Sequence, residues 1–189
     1  MTDELRDEPF EVDVTRSDIV YNGYVWDVRE DTFRYGGTSL VRHYLDHTGA
    51  VAVVAVDDDD RVLLIQQYRH PIRSRDWEIP AGLLDVQGED PRAAAERELA
   101  EEADLTAAHW EDLGSFAVSP GGSDEFIRIF LATGVRPASE TFARDAEEAD
   151  IRARWVPLDE AVQAIAEGRV HNAAMTIGVL LADRRRRAA

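Results

Sequence analysis

The apolar positions fall into short runs cut by polar turns, with one amphipathic stretch in the middle. Ala50 to Val56 is a nearly continuous apolar run, the pattern of a strand buried on both faces. Asp57 to Asp60 form an acidic turn, and Val62 to Tyr68 return from it. Upstream, Phe10 to Tyr35 is rich in Val, Ile, Tyr, Trp and Phe and reads as an extended arm turning at Asn22-Gly23. Gly36-Gly37 makes a second turn before a strand at Thr38 to Asp46. Arg69 to Arg75 is a polar connection into a short strand at Trp77-Glu78-Ile79, followed by Pro80-Ala81-Gly82. At Asp90 the period changes to that of a helix. Asp90 suits an N-cap, Pro91 the first helical position, and Ala93 to Ala95 are strong helix formers. Strands are then expected at Leu113 to Val118 and Phe126 to Thr133, joined by the loop Ser119 to Glu125. A polar, mobile stretch at Glu140 to Asp150 precedes a strand at Ile151 to Val156. A helix at Leu158 to Glu167, ended by Gly168, and a final helix at Asn172 to Arg185 complete the chain. Without repeats, this order predicts an arm followed by one α/β (α+β) domain.

Composition narrows the chemistry. With 44% hydrophobic residues in 189 and no long apolar run, a membrane span is not expected. The charged start MTDELRDEPF lacks the apolar centre of a secretory signal, so a cytoplasmic location is expected. There is no Cys, hence no disulfide, thiolate nucleophile or zinc–thiolate site. All 21 basic residues are Arg, which excludes a lysine-dependent phosphate loop and Schiff-base catalysis. A net charge of −17 argues against a nucleic-acid surface. The Arg184 to Arg187 run reads as a complement to its helix C-terminus. The four Asp of the acidic turn lack the Gly and distal Glu of a calcium loop. His43 and His47 lie on a strand at a spacing of roughly 13 Å and could not share a metal.

What remains is a group of acids. Glu98, Glu101 and Glu102 recur at helical spacings of three and four and so project to one side. Left alone they repel by about 0.2–0.5 kcal/mol per pair. A hard divalent cation reverses that sign, and carboxylate oxygens are the ligands Mg2+ and Mn2+ favour.

Gly82, Glu89 and the run Arg97-Glu98-Leu99-x-Glu101-Glu102 together resemble the Nudix box, the signature of hydrolases that split nucleoside diphosphates linked to another moiety. Two features depart from the pattern: one extra residue separates Gly82 from Glu89, and Asp104 stands where the family has a Gly, at a helix end that prefers a left-handed backbone. The loop SPGGSDE, the segment QQYRHP with WEIPAG, and EGRVHNAA around Asn172 resemble the ADP-ribose pyrophosphatase branch of that family. The resemblance implies a Nudix-type α/β/α sandwich with a mixed central sheet, residues 44–189, preceded by an N-terminal β arm, residues 1–43, that serves a homodimer. It implies Mg2+ or Mn2+ held by Ala81, Glu98, Glu101 and Glu102. It assigns catalysis to Glu125, Arg97 and Glu101, with Asp124 competing with Glu125 for the role of base. Substrate contacts fall to Arg69, Glu78, Gly121 and Gly122, and Trp26, Tyr24 and Phe33 could wall an adenine. The implied reaction is ADP-ribose and water to AMP and ribose 5-phosphate. The alternatives are hydrolysis of nucleoside triphosphates or GDP-sugars, or a module that senses ADP-ribose without cutting it.

Overall fold

A computed structural model describes residues 4–139 and 150–188, and the chain divides into two compact units. Most of the polar stretch expected to be mobile at Glu140 to Asp150 lies outside the described residues.

The first unit comprises Met1–His47 and Ser119–Asp124. Its strands β1 (Asp13–Tyr21), β2 (Asp27–Tyr35) and β3 (Thr38–Asp46) form an antiparallel meander in chain order. The β2–β3 turn is the two-residue Gly36-Gly37, both at positive φ, with Tyr35 paired to Thr38. The β1–β2 link is wider than a two-residue Asn22-Gly23 turn. The Asp27 carboxylate accepts from the Gly23 N–H at 3.2 Å and closes a loop that extends to Trp26. A Cβ at Gly23 would collide with the Trp26 carbonyl.

Across this sheet Arg29 pairs with Asp46, and the Tyr44 hydroxyl donates to Asp31 Oδ2 at 3.1 Å. Burial, and then the Asp31 hydrogen bond and charge, push the Tyr44 phenol up to about 12 from an ordinary 10.0. The raised value means the native state favours the neutral phenol. The resulting stability is whole below pH 10 and declines as pH climbs toward 12, because the unfolded chain ionises first. Phenolate absorbance should therefore show a late step near pH 12 that is missing in Tyr44→Phe. A variant with an unchanged titration curve would refute the assignment.

The second unit, Thr48–Val118 with Glu125–Ala189, is built on β4 (Ala50–Ala55), buried along its whole length. β4 lies between β7 (Ala81–Leu83), antiparallel to it, and β9 (Phe126–Pro137), parallel to it, and β8 (Leu105–Ala117) flanks β9. A second sheet orders β10 (Arg152–Pro157), β5 (Arg61–Arg69) and β6 (Ser74–Glu78). The helices are α1 (Pro91–Ala103), α2 (Leu158–Ala166) and α3 (Ala173–Ala188).

The alternation of β4 assigns the layers. Val51, Val53 and Ala55 face a core with Ala94, Ala95 and Leu99 of α1. Ala52 and Val54 face Leu158 and Ala161 of α2, and Met175 and Val179 of α3. Each large aliphatic chain so buried contributes roughly 1.5–3 kcal/mol. At Gly178 a Cβ would stand 2.6 Å from Val54 Cγ2, so only glycine lets α3 lie this close to the sheet. The result is a mixed sheet between helices, an α/β/α sandwich.

Several boundaries differ from the sequence expectation, the most telling around the central helix. β8 begins at Leu105, directly after α1, instead of Leu113. In its first half Leu105, Ala107 and Trp110 are half-buried against the α1-side core, and pairing with β9 holds the strand extended. β9 in turn reaches Pro137, and β6 includes Ser74 to Asp76 from the polar connection. Ala81–Leu83 is a strand.

Candidate active site

The central helix is fixed at both ends by acids. Asp90 Oδ1 accepts from Arg92 N at 2.9 Å and Ala93 N at 3.4 Å, the N-cap arrangement, with Pro91 starting the helix. Asp104 ends it in the left-handed region, φ 54°, and its N–H donates to Ala100 O at 3.0 Å. With Ala94, Ala95 and Leu99 packed on β4, the Glu98–Glu102 face is left toward β7.

Two contacts seat β7 against that face. The Ala81 N–H donates to Glu102 Oε2 at 2.9 Å, and Glu102 is only 6% exposed. A Cβ on Gly82 would fall inside the Glu98 carboxylate, so glycine there is a steric requirement of the approach. The remaining charge is gathered by Arg97. Its Nη1 donates to Glu98 Oε1 at 2.5 Å and Glu101 Oε2 at 3.1 Å, while Nε and Nη2 reach the two oxygens of Glu89 at 3.3 and 3.1 Å. The hydrogen bonds to Glu89 chiefly, with Glu98 and Glu101 after them, hold the guanidinium above its ordinary range despite the cost of burial.

Glu98, Glu101 and Glu102 are therefore engaged differently, and among the described residues no three His, Asp or Glu side chains converge as a ready metal cage. The donor set nevertheless fits Mg2+ or Mn2+. It offers hard carboxylate oxygens beside a glycine gap, with the Ala81 backbone adjoining.

Arg69 and Glu78 meet on the second sheet. Arg69 Nε and Nη2 donate to the two Glu78 oxygens at 2.7 and 2.8 Å, a bidentate pair. Glu78 is 4% exposed, and Gln67 approaches it at 3.5 Å. Gln67 carried no sequence signal beyond lying in QQYRHP. Gly121 and Gly122 fall in the arm unit, where Gly122 N and Ser123 N both donate to Ser119 O at 3.0 Å. Glu125, half-buried, follows at the start of the return to β9. Asn172 caps α3, accepting from Met175 N at 2.9 Å, and donates to Asp76. A separate hollow of about 290 Å3, lined by Asp90, Arg92, Trp110, Asp112, Arg128 and Phe130, contains none of the box acids.

The NUDIX domain description matches residues 46–176. An ADP-ribose pyrophosphatase of Mycobacterium tuberculosis is 42% identical over 165 residues, covering 87% of this chain and 79% of that protein. A methanol dehydrogenase activator of Bacillus methanolicus is 35% identical over 171 residues, covering 90% of this chain and 91% of that protein. A solved ADP compounds hydrolase shares the fold, with a TM-score of 0.79 at 20% identity over 97% of this chain and 98% of that one.

Proposed function

The chain belongs to the Nudix family, and from that premise we propose that it is a pyrophosphohydrolase of ADP-sugars that cuts ADP-ribose to AMP and ribose 5-phosphate. The seating of Ala81-Gly82 against Glu98 and Glu102 carries the chemistry, because it places hard oxygen donors together on a buried helix face. The 42% identical mycobacterial ADP-ribose pyrophosphatase supports the choice of substrate.

Ala81, Glu98, Glu101 and Glu102 would hold Mg2+ or Mn2+, which when bound neutralises phosphate oxygens and acidifies a water. Arg97 keeps Glu89, Glu98 and Glu101 in register, and Glu102 keeps β7 in place. Glu125 takes the proton from the attacking water. The new O–P bond forms at one phosphorus as the bridging P–O bond breaks, and the leaving phosphate carries the electron pair away. Arg69, oriented by Glu78, contacts the substrate phosphate. The arm, residues 1–43, serves a homodimer, and the catalytic domain spans 44–189.

The test is a panel of ADP-ribose, GDP-sugars, ATP and dGTP with Mg2+ or Mn2+. ADP-ribose should lead ATP and dGTP by at least about tenfold in kcat/KM, about 1.4 kcal/mol of transition-state preference, with AMP as product. Faster hydrolysis of a triphosphate would replace the substrate, and tight ADP-ribose binding without cleavage would replace the activity. A second reading, stimulation of a partner dehydrogenase, has the 35% identical activator in its favour. Assaying methanol dehydrogenase with and without the chain separates it from the first.

A further inference from the structure

The end of β3 and the Ser119–Asp124 loop are joined by a set of hydrogen bonds centred on two residues. Leu45 N donates to Gly122 O at 2.9 Å, and Leu45 O accepts from Asp124 N and from Ser123 Oγ, each at 3.4 Å. Leu45 and Ser123 thereby form a parallel bridge. Two residues on, His47 N donates to Asp124 Oδ1 at 2.9 Å. The His47 ring is stacked on Trp26, centroids 5.4 Å apart and planes 23° from parallel. Asp124 is thus bound through both its amide and its carboxylate, immediately before Glu125 in the chain.

We infer that Asp124 is a positioning residue: its carboxylate clasps His47 and fixes the backbone register that delivers Glu125. This rests on the proposed role of Glu125 as base and settles the competition between the two acids. Asp124 serves as an anchor in place of a base: its Oδ1 accepts from the His47 N–H and its own N–H donates to Leu45 O, so both its side chain and its backbone tie the loop to β3. What the clasp requires is an acceptor atom, and the negative charge is incidental. Asparagine supplies the same acceptor in the same place, while alanine supplies none. The second contribution comes from β3. A segment outside the matched 46–176 region, Leu45, sets the loop through its own backbone.

The experiment compares Asp124→Ala, Asp124→Asn and the wild-type full chain, with ADP-ribose and Mg2+. Asp124→Ala should lower kcat about 10- to 30-fold with KM within about threefold, since geometry at the attacking water is lost and binding is retained. Asp124→Asn should restore kcat to within about threefold of wild type. Asparagine as damaging as alanine, with a loss of about 10²–10⁴, would make the charge itself catalytic and overturn the inference. An alanine variant with wild-type kcat would overturn it equally. Amide hydrogen exchange at His47 reads the clasp without turnover. Exchange should quicken in Asp124→Ala and stay slow in Asp124→Asn, and unchanged exchange in Asp124→Ala would overturn the clasp. If the wild type cleaves no ADP-ribose while these exchange rates hold, the substrate reading fails and the clasp stands.

Discussion

Glu98→Gln and Glu102→Gln should each cut ADP-ribose turnover by at least about 10³-fold, about 4 kcal/mol of transition-state stabilisation. Each removes a full carboxylate charge from the face that β7 covers, and a neutral amide is a poorer ligand for a hard cation. The two should differ in stability. Relief of like-charge repulsion alone would leave both no less stable than wild type. Arg97, however, already offsets the charge of Glu98 from 2.5 Å, so Glu98→Gln gives up an ion pair and should melt slightly lower. At position 102 the amide oxygen of Gln still accepts from Ala81 N, and the melting temperature should hold. Adding Mg2+ should raise the wild-type melting temperature by linkage and move the variants much less. Thermal scans with and without the ion, beside steady-state rates, check both halves. Full wild-type turnover in excess chelator would sink the metal reading, and an active Glu98→Gln would sink the site.

Glu125→Gln should lower kcat by roughly 10²–10⁴ and leave KM nearly unchanged. The substitution keeps shape and hydrogen-bonding reach but removes the basic oxygen, so substrate should still bind while the water keeps its proton. A raised KM with unaltered kcat would recast Glu125 as a binding residue.

Much of this architecture was legible locally. Asp90 and Pro91 announce the start of the central helix, and both stand where they were expected. Gly36-Gly37 specifies its hairpin because each residue needs positive φ. The uninterrupted apolar run at Ala50 gives away a strand buried on two faces. The left-handed end at Asp104 was legible from its place after the acids. Other elements owe their form to distant chain. The first half of β8 is extended because β9 pairs with it. β7 is three residues long, and pairing with β4 together with the Glu102 contact makes it a strand. The division of labour among the acids depends on where Arg97 reaches in three dimensions, which spacing along a helix does not specify. The link from Leu45 to Ser123 joins residues 78 apart, and nothing near either one signals it.

The parallel pairing of β4 with β9 bears on how the chain is made. Ala50 pairs with Ile127, so about 80 residues must follow β4 out of the ribosome before its partner exists. At the usual pace of synthesis that interval is on the order of ten seconds. Through it the apolar run AVAVVA is held against β7 and α1 alone, or against a chaperone. A nonlocal parallel pair is slow to close because the loop entropy is lost before the contact forms. Premature termination anywhere between α1 and β9 would therefore release a nascent chain whose most hydrophobic strand lacks its β9 edge and its α2 and α3 cover, a substrate for aggregation and proteolysis.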